Sequence, residues 1–298
     1  MEPTVDDVRA GLSAQGYLPD DGLVTSVFLA ITMGRPLLLE GEPGVGKTEV
    51  ARALAAWTGG EFVRLQCHEG LDAAQALYEW DHARQLLHLR AAEAAGALGD
   101  LEAVEHELYS ERFLLRRPLL HAISGERDRA AVLLVDELDR ADDEFEAFLL
   151  EVLAENSVTI PELGTIRATT PPIVVITSNR TRDLHDALKR RCLYHWVDHP
   201  ELERELAIVR SRVPGADAVL AKQVAVMVGE LRNLCLYKPP GVAETIDWVT
   251  ALTALGRDDL DASTVSASLG AVLKYREDLD RVGPEAVDAL LDAARRAG

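Results

Sequence analysis

The sequence is poor in cysteine and in basic residues, and it contains no long apolar run. Its three cysteines (Cys67, Cys192 and Cys235) are scattered and odd in number, so they indicate neither a disulfide framework nor a zinc site. No apolar stretch approaches the ~20 residues that a membrane-spanning helix needs. The first residues are acidic and lack the basic and apolar regions of a signal peptide. We therefore expect a cytoplasmic protein without a membrane span.

Basic residues are outnumbered by acidic ones, 31 against 50, which gives a net charge of −19. Binding to nucleic acid depends on Lys and Arg side chains that neutralise phosphates, so this balance argues against a DNA or RNA partner. A small basic pore can still be present in an acidic protein. The length of 298 residues is enough for two domains, or for one domain with a substantial appendage.

A glycine-rich loop follows the short apolar run at 37–39. It reads Gly41-Glu42-Pro43-Gly44-Val45-Gly46-Lys47-Thr48 and matches the pattern G-x-x-x-x-G-K-[ST]. Backbone N–H groups of such a loop surround phosphates, Lys47 can reach the β- and γ-phosphates, and the Thr48 hydroxyl can ligate Mg²⁺. Residues 48–56 are rich in helix formers, so a helix N-terminus would point at the phosphates. The loop predicts a nucleotide and magnesium site, and no G-x-G-x-x-G is present to suggest a Rossmann loop instead.

The second motif is acidic and follows the continuous apolar run at 132–135. Such a run is typical of a central strand in a parallel sheet. Asp136 then falls at the carboxyl end of that strand, where open α/β sheets bind ligands. Its expected role is to hold Mg²⁺, and Glu137 can act as the general base for an attacking water. A solvated acidic loop is the alternative, but the upstream phosphate loop favours the metal-and-base pair.

The remaining pattern predicts an α/β domain followed by an all-α domain. We expect five strands, near 37–39, 61–66, 132–135, 173–177 and 193–197, and a helical chain from about 201 to the end. The helix predicted from 142 onward has apolar residues at 145, 148, 149, 152 and 153, spaced for one face. Two hairpins are predicted, within 78–89 and within 158–167, and a helical stretch over 91–123 is predicted to break near Gly96 and Gly99.

The order of these motifs resembles an AAA+ ATPase: the phosphate loop, the Asp-Glu strand, Ser178-Asn179 after a strand, and Arg190-Arg191 before the last one. The two predicted hairpins are similar to the insertions of the MoxR branch. Four stretches, 64–72, 136–142, 159–166 and 188–194, are similar to the carbon-monoxide-dehydrogenase accessory ATPases, the CoxD-like MoxR group. The similarity extends over nearly the whole chain and is most specific in its middle.

The resemblance implies an AAA+ domain over 1–200, with a five-stranded parallel sheet and hairpin insertions, and a smaller all-α lid domain over 201–298. It further implies a homo-oligomeric ring, usually a hexamer, with ATP bound between subunits. Asn179 then matches the sensor that orients the attacking water. Arg190 or Arg191, of which Arg191 is favoured, matches the arginine finger that reaches the neighbour's γ-phosphate.

The sequence departs from the family at one position. MoxR proteins commonly carry an arginine near the start of a lid helix, where this chain has Val242. Either Lys238 substitutes for that arginine at the γ-phosphate, or the second sensor is missing.

The resemblance also implies a function, which is to couple ATP hydrolysis, with Mg²⁺, to the remodelling or maturation of a client protein. The partners that the resemblance implies are a client metalloenzyme, namely a molybdenum- and copper-containing dehydrogenase, and a protein with a von Willebrand factor A domain. A rubisco-activating ATPase of a related branch shares the same motifs and differs in its client. A small-molecule kinase would need an acceptor site, a GTPase would need an N-K-x-D motif that is absent, and a non-catalytic scaffold is disfavoured by Glu137.

Overall fold

The computed structural model describes residues 3–96, 100–125 and 127–297. The chain divides into two compact units, each built from more than one segment. The first unit takes the described residues of Met1–Gly11, Asp21–Glu40 and Ala51–His195, and the second takes those of Leu12–Asp20, Gly41–Val50 and Trp196–Gly298. The predicted division at residue 200 stays a prediction. The helix break expected at Gly99 and the outermost ends of the two predicted domains lie outside the described residues.

A five-stranded parallel sheet forms the centre of the first unit. The described residues form strands both in this sheet and outside it. In chain order, all of these strands are β1 (Leu37–Glu40), β2 (Phe62–Gln66), β3 (Tyr78–Trp80), β4 (Leu114–Arg116), β5 (Val132–Asp136), β6 (Ser157–Ile160), β7 (Gly164–Arg167), β8 (Ile173–Ser178) and β9 (Leu193–Trp196). The sheet has the order β2-β5-β8-β1-β9, which confirms the five predicted strands and the α/β class. Every residue of β5 is buried, as expected for a strand covered on both faces.

The register of the sheet brings four strand ends to one edge. Gln66 at the end of β2 pairs with Asp136 at the end of β5, and Glu40 at the end of β1 pairs with Ser178 at the end of β8. Between them, Val135 of β5 pairs with Ile176 of β8. The carboxyl ends of these strands are therefore aligned, at the edge where open α/β sheets bind their ligands.

Helices flank this sheet along the first two thirds of the chain. They are α1 (Val5–Ala14), α2 (Asp21–Met33), α3 (Lys47–Thr58), α4 (Ala73–Leu77), α5 (His82–Ala94), α6 (Leu101–Leu108), α7 (Pro118–Ile123), α8 (Asp143–Glu155) and α9 (Asp186–Arg191). The α8 helix begins as predicted, because the Asp142 carboxylate accepts a hydrogen bond from the Phe145 backbone N–H at 2.9 Å. Phe145, Leu149 and Val152 are buried in the core of this unit.

The two predicted hairpins have different outcomes. The hairpin within 158–167 is confirmed, since β6 pairs with β7 in antiparallel register and Gly164 turns the chain with φ of 80°. The hairpin within 78–89 is wrong. Strand β3 pairs instead with β4, which follows two intervening helices, and Asp81 caps α5 by accepting a bond from the Arg84 N–H at 2.9 Å. The cap starts a helix at the point where a hairpin would have needed a returning strand.

The second unit contains the helical end of the chain. Its helices there are α10 (Leu202–Arg212), α11 (Ala218–Asn233), α12 (Val242–Ala254), α13 (Ala262–Ser268), α14 (Arg276–Arg281) and α15 (Pro284–Ala297), which confirms the predicted run of helices. Their apolar faces form a separate core around Trp248, whose indole N–H donates to Ser268 Oγ at 2.8 Å. No helix among the described residues is long and apolar enough to cross a lipid bilayer.

Candidate functional site

The glycines of the predicted phosphate loop adopt backbone conformations that fit the motif. Gly44 and Gly46 have φ values of 80° and 95°, in the left-handed region that favours glycine. A Cβ atom placed on Gly41 would lie 2.3 Å from the Val197 carbonyl oxygen, so a larger residue would collide with backbone. The loop is thus shaped by close backbone approaches that require glycine, as in loops whose N–H groups cradle phosphates.

Lys47 is the first residue of α3 and is buried. Its ammonium group donates to the Gly41 and Glu42 carbonyl oxygens at 2.7 and 2.8 Å. These bonds hold the positive charge inside the loop and at the N-terminus of a helix, where an anion is also stabilised by the helix dipole. Thr48 follows as the second residue of the same helix. The geometry of the loop fits the phosphates of a nucleotide.

An apolar cavity of about 300 Å³ adjoins this loop within the second unit. Four segments that are distant in sequence form its wall: Gly16, Tyr17 and Leu18; Gly44, Val45, Gly46 and Glu49; Asp198, Pro200, Arg204, Ile208 and Arg212; and Val242, Ala243, Ile246 and Asp247. Burial raises the pKa of the Tyr17 hydroxyl above its ordinary value, so Tyr17 presents a neutral ring. Sequence reasoning missed this cavity, because no local motif connects the four segments.

Two hydrogen-bonded contacts fix the wall of the cavity. The Arg204 guanidinium donates to the Leu18 carbonyl at 2.8 Å, which ties the 12–20 segment to α10. Arg212, about two turns further along α10, forms an ion pair with Glu49 at 2.7 Å. Both arginines therefore build the wall through specific partners.

The first turn of α12 contacts the phosphate loop. The Ala243 N–H donates to the Gly44 carbonyl oxygen at 3.2 Å, and the Glu244 carboxylate accepts from the Gly241 N–H at 2.9 Å. Lys238 lies three residues before Gly241, and its backbone N–H donates to Asp278 in α14 at 3.2 Å. This bond anchors the loop before α12. The role of Lys238 at a γ-phosphate stays a prediction.

Asp136 lies in the first unit, buried at the end of β5. One carboxylate oxygen accepts from the Thr177 hydroxyl at 2.6 Å, and the other accepts from the Arg64 Nε at 2.9 Å. A hydroxyl and a guanidinium therefore hold the two oxygens of this carboxylate in place. Arg64 is on β2 and Thr177 on β8, the two strands that flank β5.

Glu137 follows in a left-handed conformation, with φ of 55° and ψ of 50°. Such a backbone costs a residue with a side chain about 1–2 kcal/mol. The cost is offset by the bond from the Glu137 N–H to the Thr177 hydroxyl at 2.9 Å. One hydroxyl group thus joins the two predicted acidic residues.

The side chain of Glu137 is one-third exposed and contacts Asn179. The amide Nδ2 of Asn179 donates to Glu137 Oε1 at 3.4 Å, and Gln66 Nε2 donates to Oε2 at 3.1 Å. Buried Asp139 holds the Asn179 backbone by accepting its N–H at 3.2 Å. The carboxylate is therefore held from two neighbouring strands while one face stays open to solvent.

Sequence reasoning missed Arg64, Gln66 and Thr177. The signal that could have identified them is their position, since each lies at or near the carboxyl end of a strand adjacent to β5. Their register is a property of the assembled sheet, and the chain order alone does not give it.

Arg190 and Arg191 are exposed in the last turn of α9. Arg191 Nη1 donates to the Leu150 carbonyl oxygen at 3.1 Å. The structure thus places both predicted finger candidates at the surface of the first unit.

The donor set is suited to Mg²⁺ rather than to a transition metal. Within the described part of the chain, no three His, Cys, Asp or Glu side chains converge into a metal cluster. Mg²⁺ is usually held by one or two protein oxygens together with water and substrate phosphates. The carboxylate of Asp136 in the first unit and, separately, the hydroxyl of Thr48 in the second are oxygen donors of this kind.

Solved structures that are similar to this chain include a candidate ATPase from Cytophaga hutchinsonii, which is 15% identical, with 97% of this chain and 91% of that chain covered and a TM-score of 0.43. The RuvB Holliday junction branch migration motor of Thermotoga maritima is 16% identical, with 89% and 68% covered and a TM-score of 0.47. No curated protein matches the sequence.

The family comparison covers the segment that contains the phosphate loop, Asp136, Glu137, Asn179 and Arg191. The model described as AAA domain (dynein-related subfamily) matches residues 36–192, which is more than half of the 298 residues. The chain therefore belongs to the AAA domain family, in its dynein-related subfamily.

Proposed function

We propose that this AAA protein is a MoxR-type ATPase that hydrolyses ATP and couples the reaction to the remodelling of another protein. The observation that carries hydrolysis is the group formed by Asp136, Glu137 and Asn179 at the end of β5. A buried carboxylate stands next to a second carboxylate that is one-third exposed and contacts an amide. This arrangement suits one metal ligand, one general base and one group that orients water.

The phosphate loop supplies the other half of the proposed chemistry. Lys47 would neutralise the β- and γ-phosphates, and the Gly41–Gly46 backbone would surround them, because the loop is already folded around the Lys47 ammonium. Thr48 and Asp136 would hold Mg²⁺, which, when bound, neutralises charge that develops on the phosphate oxygens. Glu137 would take the proton of the attacking water, and Asn179 would orient it.

The cavity beside the loop is the proposed binding site for the adenine ring of the nucleotide. Its wall is largely apolar, and the neutral ring of Tyr17 lies at the same end as Gly46. A flat heteroaromatic ring would remove this surface from water without burying a charge. The cavity therefore supports adenine nucleotides as ligands.

Arg191, or Arg190 beside it, is the proposed finger that acts on the nucleotide of a neighbouring subunit in a homo-oligomeric ring, a hexamer by resemblance. Phosphoryl transfer needs extra positive charge in the transition state, and an exposed arginine can supply it in trans. The exposure of both side chains supports this role. Residues 201–298 would then act as the helical lid, on which Lys238 stays the proposed second sensor.

The client rests on sequence resemblance. The stretches similar to the CoxD-like group support a role in maturing the metal centre of a molybdenum- and copper-containing dehydrogenase, together with a von Willebrand factor A domain partner. The cytoplasmic location likewise stays a prediction from the sequence.

Two substitutions test the ATPase. Lys47→Ala is expected to weaken ATP binding by at least about tenfold, because the phosphates lose their charge-assisted clamp. Glu137→Gln is expected to retain ATP affinity and to lower turnover by about 10²–10⁴-fold, because the general base is lost. Titration with labelled ATP and a phosphate-release assay measure the two quantities.

The control is Glu162→Gln, which makes the same chemical change at an exposed residue of the β6–β7 hairpin. It should leave both quantities unchanged. Wild-type turnover in Glu137→Gln would refute the assignment of the base, and wild-type ATP affinity in Lys47→Ala would refute the phosphate site.

A further inference from the structure

Arg35 lies between α2 and β1, and its guanidinium group caps the end of α9. Its Nε donates to the Arg191 carbonyl oxygen at 3.0 Å, and its Nη2 donates to the Arg190 and Cys192 carbonyl oxygens at 2.7 and 3.2 Å. One side chain thus binds three consecutive carbonyl groups. Two of them belong to the residues proposed as the finger.

These contacts satisfy groups that the helix cannot satisfy itself. The last carbonyls of an α-helix have no intrahelical donor, and α9 is only six residues long. The planar guanidinium fork suits several acceptors at once, and a cation is stabilised at a helix C-terminus. Arg35 is therefore a side-chain cap for α9, supplied by a distant part of the chain.

A backbone bond reinforces the cap. The Leu193 N–H donates to the Pro36 carbonyl oxygen at 2.8 Å, so residues 35 and 36 hold the chain on both sides of Cys192. The last turn of α9 already carries Lys189, Arg190 and Arg191. Arg35 adds a fourth positive charge next to these three, and its hydrogen bonds to the carbonyl groups must offset the resulting repulsion. Because such a placement is otherwise unfavourable, it indicates that the end of α9 needs to be held in one position.

The surface around this cap is open. Arg35, Arg190 and Arg191, together with the apolar side chains of Leu150, Leu153 and Leu188, line a groove of about 380 Å³. The backbone of the two finger candidates is thus held firmly, while their side chains lie in a groove that a second subunit can enter.

We infer that Arg35 is a positioning residue, which holds the carbonyl end of α9 so that the Arg190-Arg191 pair is presented to the nucleotide of the neighbouring subunit. The inference rests on the proposed trans-acting finger. Arg35 contacts no substrate in this scheme, and it acts through the backbone of the residues that do. A finger displaced by ~1 Å can cost about 10² in rate.

The test uses the full chain with three substitutions: Arg35→Ala, Arg35→Lys and the control Arg90→Ala, which removes an exposed arginine of the same unit. Arg35→Ala is expected to lower turnover by about 10- to 100-fold without a change in ATP affinity. Arg35→Lys keeps a cation that can reach one carbonyl, so its turnover should lie between those of Arg35→Ala and the wild type. Arg90→Ala should turn over like the wild type.

Mixing subunits separates this role from a loss of folding. In a mixed ring, an Arg35→Ala subunit retains its phosphate loop, and a Lys47→Ala neighbour supplies an intact finger, so turnover should be regained. A mixture of Arg35→Ala with Arg191→Ala should regain nothing, because both changes affect the finger. If Arg35→Ala proves too unstable to purify, Arg35→Lys takes its place in the same mixtures.

The outcomes distinguish the inference from the function on which it rests. Regained turnover for Arg191→Ala with Lys47→Ala, but not for either Arg35 variant with Lys47→Ala, would overturn the positioning role alone. Wild-type turnover in Arg35→Ala would also overturn it. Wild-type turnover in Arg191→Ala and Arg190→Ala would instead refute the finger itself, and the role of Arg35 with it.

Discussion

The buried ion pair between Arg232 of α11 and Glu205 of α10 provides the sharpest test of how the helical region is held together. The two side chains form a two-pronged contact, with distances of 2.6 and 2.7 Å, and Glu205 is almost completely buried. The Thr245 hydroxyl of α12 donates to the same carboxylate at 2.6 Å, and Arg232 Nε donates to the Pro240 carbonyl at 2.7 Å. Three helices and the segment before α12 therefore share one network.

Removing only the cation should be costly. Arg232→Met leaves the Glu205 carboxylate buried with the Thr245 hydroxyl as its remaining partner in the network, and breaking a buried pair in this way costs about 3–5 kcal/mol. With a denaturant slope of about 2 kcal/mol/M, the urea midpoint should fall by roughly 2 M. The exposed Arg257 provides the control, and Arg257→Met should change the free energy of unfolding by less than about 0.5 kcal/mol.

The double variant Arg232→Met with Glu205→Leu removes both charges. Replacing a whole buried pair by apolar side chains is often neutral, so the double variant should be more stable than Arg232→Met by at least about 2 kcal/mol. Urea unfolding followed by circular dichroism, and by the fluorescence of buried Trp248, measures these differences. Additive losses in the double variant, or a loss below about 1 kcal/mol in Arg232→Met, would refute the reasoning.

Two further predictions concern the first unit and the cysteines. Burial raises the pKa of both the Cys67 and the Cys192 thiol to about 12, whereas Cys235 is exposed. A thiol reagent at pH 8 should therefore modify one cysteine per folded chain and all three cysteines in urea. Rapid labelling of two or more cysteines in the folded protein would contradict the structure. Thr177→Val should destabilise the protein by about 1–3 kcal/mol, because the Glu137 N–H and an Asp136 oxygen both lose their partner. Thr159→Val, the same change on the exposed side of β6, should cost less than about 0.5 kcal/mol, and equal losses for the two variants would remove the special role of Thr177.

The parts of the molecule that the sequence predicts well are those with a local signal. The phosphate loop, the buried strand before Asp136, and the start of α8 at Asp142 each follow from residues that are adjacent or periodic in the chain. The hairpin expected within 78–89 is wrong because the partner of β3 lies beyond α5 and α6, and pairing over that distance leaves no local pattern.

The residues of the site likewise divide into those with a local sequence signal and those without one. Glu137 carries a motif signal and Asn179 is identified by resemblance, and the structure brings the two side chains into contact. Arg64 and Thr177 have no such signal, because their contacts with Asp136 depend on the register of β2 and β8 against β5. The cavity beside the loop could not be predicted for a related reason, since four separate segments build its wall.

The bond between the Ala243 N–H and the Gly44 carbonyl has a thermodynamic consequence. It joins the first turn of α12 to the loop proposed to hold phosphate, so a change in the peptide at Gly44 alters the position in which α12 is most stable. Such coupling is reciprocal: if nucleotide binding favours one position of α12 by a given factor, a partner protein that favours the same position raises nucleotide affinity by that factor. A partner that pulls α12 away would weaken nucleotide binding to the same extent. If the chain binds nucleotide and a partner as proposed, this one peptide contact would let the helical region report the nucleotide state to the partner, and would let the partner control nucleotide release.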